Sequence, residues 1–507
     1  MNVLRTLIGT DSGRIICLLL GPGGSGKSTV INLVVAYARE YCEHLGHPFT
    51  SRTIVVTAMS GIAATLLHGE TTHKALGLNR NVLPETLIEE WWDTRLLIVD
   101  EISFASMRDI EKIQMHCGIL KRKTFEPYGK LNVVFSGDFS QLEPVGRAPL
   151  YKEKKCAEFF QHITTFIELN GHHRFKDDEE WGVIMERFRD GVPNIDDIER
   201  INNMCYVNKN HVPDVRAQIA TYFNRERDAI NCNIFERMLE EYVNNSTTEY
   251  CKSALIIFMD ELMMRDSKNT YTCIKSNEMK KWFYTNCSEN SCKMKEHQAS
   301  RVDPCLKLYK ECPLMLTQNK DVSNGQANGT RVYFKSVQLK NGEQCMLIKM
   351  INGCVIRAVM ASQVKNITVE HENRDIIPNI FDVVIEDCSF KAAVTLNDET
   401  RVVDMKGKQF PIISNSAMTG HKLQGYTAKS LVVVDWKYSG NWAYTVLSRV
   451  RTMDGLFLLQ PLSLDTEKYE MDSDIEDMLV WFREKLPLRI FSDDDYQAMT
   501  LFDSHIY

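Results

Sequence analysis

Residues Gly21 to Ser28 read Gly-Pro-Gly-Gly-Ser-Gly-Lys-Ser and follow directly on the apolar run Ile15–Leu20. A buried strand entering G-x-x-x-x-G-K-[ST] and then a helix makes a cradle for a polyphosphate. The glycines let backbone N–H groups turn inward, Lys27 reaches the β- and γ-phosphates, and Ser28 offers a hydroxyl to Mg²⁺. The expected nucleotide contacts are therefore Gly21, Pro22, Gly23, Gly24, Ser25, Gly26, Lys27, Ser28 and Thr29. A helix expected from Thr29 to about Tyr41 aims its positive end at the same anion. The implied cofactors are ATP and Mg²⁺.

Two further elements extend this chemistry. Leu96-Leu-Ile-Val-Asp100-Glu101 is a buried strand ending in two carboxylates. Asp100 can hold Mg²⁺ through water, and Glu101 can orient and deprotonate the attacking water. Ser136-Gly-Asp138-Phe-Ser-Gln141-Leu ends another strand and can place the Gln141 amide near the γ-phosphate as a sensor. Alone, each is an ordinary strand end. Downstream of a complete phosphate loop, the combination reads as an NTPase.

The elements that carry these residues alternate between β and α. Thr53–Thr57, Arg95–Asp100 and Leu131–Ser136 are short β runs, each ending in small polar residues, as parallel strands do where ligands bind. A mixed helical stretch runs from about Asp178 to Leu239, and Lys268 to Asp303 reads as a polar, Cys- and Lys-rich irregular insertion. Period-2 runs at Arg331–Phe334, Cys345–Met350, Val355–Val359 and Phe381–Ile385, with Asn341-Gly342 and Asn352-Gly353 turns, predict a small antiparallel barrel. Leu431–Asp435 then returns to the α/β pattern.

Composition sets the compartment and the partners. At 507 residues and 44% apolar content the chain supports several domains with real cores. No apolar run reaches the ~18–20 residues of a membrane span. Asp11 and Arg14 interrupt the N-terminal apolar stretch, so no signal peptide is expected. Fifteen scattered cysteines point to a reducing intracellular setting, nuclear or cytoplasmic. The net charge of −7 is concentrated late: residues 461–507 hold 12 acidic and 4 basic residues, leaving 55 and 56 before them. A balanced body can carry a local basic groove. The acidic tail reads as a solvated surface or a protein-partner contact.

Six motifs occur in fixed order: the phosphate loop, Thr57–His73 (T-A-M-S-G-I-A-A-T-L-L-H-G-E-T-T-H), Leu96–Ser103, Ser136–Leu142, Ala417–Thr427 (A-M-T-G-H-K-L-Q-G-Y-T) and Tyr444–Leu456 (Y-T-V-L-S-R-V-R-T-M-D-G-L). From about Ile15 to Leu459 the chain resembles a superfamily-one DNA helicase of the petite-integration-frequency (Pif) and RecD-like group.

The resemblance implies further roles. Arg174, in Glu168-Leu-Asn-Gly-His-His-Arg-Phe, and Arg449, in Leu447-Ser-Arg-Val, match arginines that reach the nucleotide across a domain cleft. Such guanidiniums neutralise charge on the transferred phosphoryl group. Thr57, Ser60, His73, Asn328, Arg331, Thr419, His421, Lys422 and Gln424 match segments that touch a single strand without reading its sequence. The implied fold is α/β: two RecA-like P-loop NTPase domains with a small antiparallel β-barrel inserted in the second. The expected extents are 1–174 for the first domain, 175–329 and 411–460 for the second, 330–410 for the barrel and 461–507 for the tail. The implied activity is ATP-driven, 5′→3′ movement on single-stranded DNA by a monomeric motor that unwinds duplexes and junctions. The implied settings are repair, recombination, replication and telomere maintenance.

Three departures stand out. The 20 residues before Gly21 contain no glutamine, although the family usually carries an adenine-recognising one upstream. Glu143 stands where a proline usually follows Gln-Leu. Only about 20 residues separate Gly77 from Asp100, so any strand-separating pin there is short. Cys287-x₄-Cys292-x₄-His297 is loose for zinc and reads as free thiols. Trp91-Trp92 reads as packing, with base stacking as the alternative. Two other functions fit the same motifs: a strand-binding scaffold with a decayed ATPase, and the helicase part of a rolling-circle transposon protein.

Overall fold

Ile16–Leu20 (β1) is buried at all five positions and serves two cores at once. Ile16, Leu18 and Leu20 join one cluster with the Met107–Leu120 helix, whereas Cys17 and Leu19 join another with the Lys27–His44 helix. A strand covered on both faces needs apolar side chains on both, hence the unbroken run in the sequence. The structure is a computed structural model. It describes residues 14–486 except 145, 153–155, 172, 209–210, 215–216, 246–249, 266–269, 276–301, 351–352, 375–377, 397–398 and 440. Cys287, Cys292, His297, the segment before Arg14 and Asp493–Asp495 lie outside the described residues.

β1 is joined by β2 (Ile54–Ala58), β3 (Glu70–Thr71), β4 (Leu96–Asp100), β5 (Asn132–Gly137) and β6 (Thr165–Glu168). The order is β3-β2-β4-β5-β1-β6, with every pair parallel. Because β4, β5 and β1 are neighbours and parallel, the loops that follow them share one edge. The phosphate loop, Asp100-Glu101 and Gly137–Gln141 therefore meet there.

β7 (Gln218–Thr221) starts a second sheet, and the chain then leaves it for a long β excursion. The excursion comprises β8 (Tyr250–Phe258), β9 (Asp260–Arg265), β10 (Tyr271–Cys273), β11 (Cys305–Leu308), β12 (Pro313–Leu316), β13 (Arg331–Leu339) and β14 (Met346–Lys349). It continues through β15 (Val355–Met360), β16 (Val364–His371), β17 (Ile380–Val383), β18 (Glu386–Leu396), β19 (Glu399–Gln409) and β20 (Ile412–Ser414). β21 (Ala417–Thr419), β22 (Leu431–Val433) and β23 (Leu456–Leu458) then complete the second parallel sheet, ordered β21-β7-β22-β23. Two parallel α/β sheets, each flanked by helices, fit the two RecA-like domains.

The excursion differs from the expected closed barrel. Among the described residues its strands form three open sheets, ordered β10-β9-β19-β18, β11-β8-β15-β14 and β17-β16-β13-β12-β20. Leu255 and Leu306 from one sheet share a buried cluster with Val332, Val369 and Ile412 from another, so these two act as packed layers. The β pairing also begins near 250, well before the expected start at 330, because β8 and β12 belong to these sheets. Ala254–Ile257 is buried at every position and shows no alternation, so period 2 does not mark it.

The described part of the tail is also not a free acidic surface. Leu462 and Tyr469 pack in the second domain's core. Ile475, Met478, Leu479 and Phe482 of the Ser473–Lys485 helix pack in the first domain's core. Phe482 is fully buried, with ring centroids 5.2 Å from both Phe160 and Phe166. Arg483 clasps Glu168 through two hydrogen bonds of 2.9 Å. The acidic residues occupy the outer face of an amphipathic helix. No described helix is long and apolar enough to cross a membrane.

Candidate functional site

The phosphate loop closes on itself through left-handed backbone at Gly24 and Gly26, both at φ +92°. Only glycine adopts this conformation at no steric cost, which explains the composition of the turn. Gly26 caps the Lys27–His44 helix, and Ile31 and Ala38 fix that helix on β1. Lys27 Nζ donates to the carbonyls of Gly21 at 2.7 Å and Pro22 at 3.0 Å. Burial lowers its pKa, opposed by the charges of Asp138, Glu101 and Asp100.

Gly23 is the point on which distant segments converge. A Cβ placed there would stand 3.1 Å from Arg174 Nη1, 3.2 Å from Arg449 Nη2 and 3.3 Å from Gln141 Nε2. Arg174 also donates to the Ser448 carbonyl at 2.8 Å, so the two arginine segments touch. Arg449 is 1% exposed and donates to Thr445 O and Ser448 Oγ, each at 2.7 Å. Burial, and then the neighbouring Arg449, push the Arg174 pKa down to about 9. Burial also lowers Arg449. These guanidiniums are short of negative charge, which is the electrostatic condition for an anion site.

The Gln141 amide is held by Asp138, which side chains of the other domain reach. Its Nε2 donates to Asp138 Oδ2 at 3.1 Å, and Asp138 meets Arg189 at 3.4 Å and the Tyr444 hydroxyl at 3.5 Å. Sequence reasoning singled out neither Arg189 nor Tyr444 for this task. Arg189 ends the Glu179–Arg189 helix with no motif of its own, so nothing local marks it.

Asp100 and Glu101 sit at the end of β4. Asp100 is 6% exposed, and its Oδ1 has no hydrogen-bond partner among the described residues. Burial raises its pKa against the pull of Lys27. An orphaned carboxylate oxygen beside a phosphate loop fits the oxygen-ligand chemistry of Mg²⁺. Glu101 takes left-handed backbone at φ 57°, a strained conformation for a residue with a Cβ. Burial and Asp100 raise its pKa, and Lys27 and Gln424 oppose them.

The nine expected strand contacts divide. Asn328, Thr419, His421 and Lys422 line one cavity of about 870 Å³. Lys422 Nζ donates to Asn328 Oδ1 at 2.9 Å. His421 Nε2 lies 3.3 Å from the carbonyl of Glu143, and burial lowers its pKa. Ser60 caps the Gly61–Leu66 helix by accepting from Ala63 N, and half-buried His73 sits in the Thr72–Ala75 turn. Three of the nine have other partners. Thr57 is 0% exposed and donates within the sheet to Ile98 O. Arg331 pairs with Glu372 at 3.0 Å and Tyr426 Oη at 2.6 Å. Gln424 is 2% exposed and donates to Glu101 Oε2 at 2.8 Å.

Other weak signals also gain an address. Glu143, in the place of a proline, accepts from the Tyr151 hydroxyl at 2.6 Å, which steadies the turn by a side-chain bond instead. Trp91 is fully buried in the first core, whereas Trp92 is 65% exposed.

An AAA domain family model matches residues 4–211. ATP-dependent DNA helicase RRM3 of Saccharomyces cerevisiae is 28% identical over 138 residues, which is 25% of this chain and 18% of that protein. ATP-dependent DNA helicase PIF1 of the same species is 28% identical over 191 residues, 35% of this chain and 21% of its own. The matched region spans about a fifth of these curated relatives. The uncharacterized protein 030L of Invertebrate iridescent virus 6 is 22% identical over 519 residues, covering 89% of this chain and 88% of its own. A crystal structure of Bacteroides Pif1 bound to ssDNA superposes with a TM-score of 0.62 at 17% identity, covering 95% and 96% of the two chains. The Pif1 helicase from Candida albicans gives 0.61 at 22% identity, covering 96% and 99%. In fold and motif order the chain is similar to the Pif1 helicases. In this Pif1-like frame the phosphate loop belongs to one α/β sheet, and Arg449 and the Thr419–Gln424 segment belong to the other.

Proposed function

We propose that the chain is an ATP-dependent DNA helicase that moves on single-stranded DNA. The observation that carries this reading is the convergence at Gly23 of Arg174, Arg449 and Gln141. A polyphosphate seated on the Gly21–Thr29 loop would meet Lys27 and both guanidiniums at once. ATP would then draw the two domains together, and its hydrolysis would let them part. Glu101 serves as the base for the attacking water, and Gln141 reports the γ-phosphate. Ser28 and Asp100 would hold Mg²⁺, which when bound neutralises charge on the β- and γ-phosphates.

The strand would lie along the cavity bounded by Asn328, Thr419, His421 and Lys422, with Ser60 and His73 nearer the first sheet. Amides, hydroxyls and a lysine at this wall suit phosphate tracking without base readout. The insert from about 330 to 410, together with the strands that precede it, would cover the strand as a barrel-like cap. We assign the first domain to 1–174, the second to 175–329 and 411–460, and movement 5′→3′ as in the group it resembles. One chain supplies every residue named at the nucleotide, so a monomer suffices as the motor.

The test is ATP turnover with and without single-stranded DNA for wild type and Lys27→Ala, followed by unwinding of duplexes with a 5′ or a 3′ overhang. Strand-stimulated turnover lost in Lys27→Ala, with unwinding from the 5′ overhang, is the expected result. Strand binding without stimulated turnover would instead leave a scaffold whose ATPase has decayed.

A further inference from the structure

Gln424 lies on a tight segment of the second domain: β21 ends at Thr419, the Gly420–Leu423 turn follows, and Gly425 takes φ +82°. Thr419, His421 and Lys422 of this segment face the cavity assigned to the strand. Gln424 turns the other way. Its Nε2 donates to Glu101 Oε2 at 2.8 Å and to Ser103 Oγ at 3.3 Å, both on the first domain. Its Oε1 is buried and has no partner among the described residues. An amide kept for packing alone would satisfy both of its ends, because an orphaned buried acceptor costs stability. The one-sided satisfaction puts the purpose of this side chain at its Nε2. Leu423 beside it is fully buried and anchors the segment in the second domain's core.

We propose that Gln424 is a positioning residue that ties the orientation of Glu101 to the segment holding the strand. The proposal rests on the reading of Glu101 as the base. Glu101 sits in strained left-handed backbone, and Gln424 donates a hydrogen bond to its carboxylate. A strand that presses on Thr419–Lys422 moves the donor and with it the carboxylate. Strand occupancy thereby sets how well the base addresses the attacking water. The strand and the nucleotide are coupled through one hydrogen bond across the domain boundary.

The test is Gln424→Met, which keeps the volume and removes the donor. The expected strand-stimulated kcat falls roughly ten- to hundredfold, the worth of a hydrogen bond to a charged group. KM for ATP and Kd for a single-stranded oligonucleotide stay within about threefold, since neither ligand touches Gln424. In a Glu101→Gln background the same substitution changes kcat by less than about threefold, because the two residues act as one unit. A kcat within about twofold of wild type, or an equal further loss in the Glu101→Gln background, overturns the proposal. A loss carried by oligonucleotide Kd, with kcat at saturating strand intact, returns Gln424 to the strand surface and also overturns it. If Gln424→Met shows no cooperative melting, Gln424→Asn, which withdraws the amide by one methylene, takes its place in the same comparisons. Failure of the underlying reading is distinct: wild type would then show no strand stimulation, or Lys27→Ala would keep turnover.

Discussion

Arg449→Met is expected to break the motor and leave the fold intact or firmer. Four cations, Lys27, Arg174, Arg189 and Arg449, crowd around three carboxylates, Asp100, Glu101 and Asp138. Arg449 is 1% exposed, and among the described residues its hydrogen bonds run to Thr445 O and Ser448 Oγ, not to a carboxylate. Those two acceptors keep a partner without it, because Ser448 Oγ donates to Thr445 O at 3.1 Å. A buried charge without a carboxylate partner is costly to hold, so an apolar side chain of similar length in its place is expected to leave stability unchanged or raised. In thermal melting without nucleotide this appears as an unchanged or higher Tm, at roughly 2–4 °C per kcal/mol for a domain of this size. Turnover moves the other way. Loss of an arginine that meets the transferred phosphoryl group costs ~10³–10⁵ in rate, or about 4–7 kcal/mol of barrier. The assay pairs the melt with kcat at saturating ATP and single-stranded DNA. A Tm drop of more than about 4 °C, or turnover within about tenfold of wild type, refutes the reasoning.

Gly24→Ala should reduce turnover by on the order of a hundredfold, because its Cβ would collide with that of Arg174 while the backbone stays at φ +92°; steady-state ATPase checks this. Phe482→Ala should cost ~3–5 kcal/mol locally and release the Ser473–Lys485 helix, since Phe482 is fully buried between Phe160 and Phe166. Limited proteolysis reads this as new cleavage after Tyr469, and an unchanged digest would contradict it. His421→Gln should shift stability with pH. Burial holds the His421 pKa below its unfolded value, so unfolding takes up a proton once pH falls below about 6.5. Wild type therefore loses stability on the acid side, and the glutamine variant does not. The Tm of the variant minus that of wild type should rise between about pH 8 and pH 5.5, and a flat difference would exclude a buried neutral imidazole.

Much of the nucleotide loop is legible because its information is local. Gly24 and Gly26 are needed where the backbone turns left-handed, Lys27 follows directly, and an apolar strand precedes them. The tail shows the opposite lesson. Ile475, Met478, Leu479 and Phe482 follow helical spacing and mark a buried face, but the net charge of the segment masks that stripe. The insert misled for a related reason. Its early strand β8 is apolar without alternation, and whether strands close into a barrel depends on which edges meet, a property no single strand encodes.

By itself, the sequence determined residue types and their order: a glycine turn with a lysine, paired carboxylates after a buried strand, and arginines known only through resemblance. Only the tertiary structure decided partners. It put Thr57 inside the sheet, tied Arg331 to Glu372, aimed Gln424 at Glu101, and supplied Arg189 to Asp138 with no motif to announce it. The physical reason is range. Backbone conformation and strand burial depend on neighbours a few residues away, and these are written in the chain. A side chain's hydrogen-bond partner depends on which surfaces pack together across hundreds of residues, and that is settled only when the cores close.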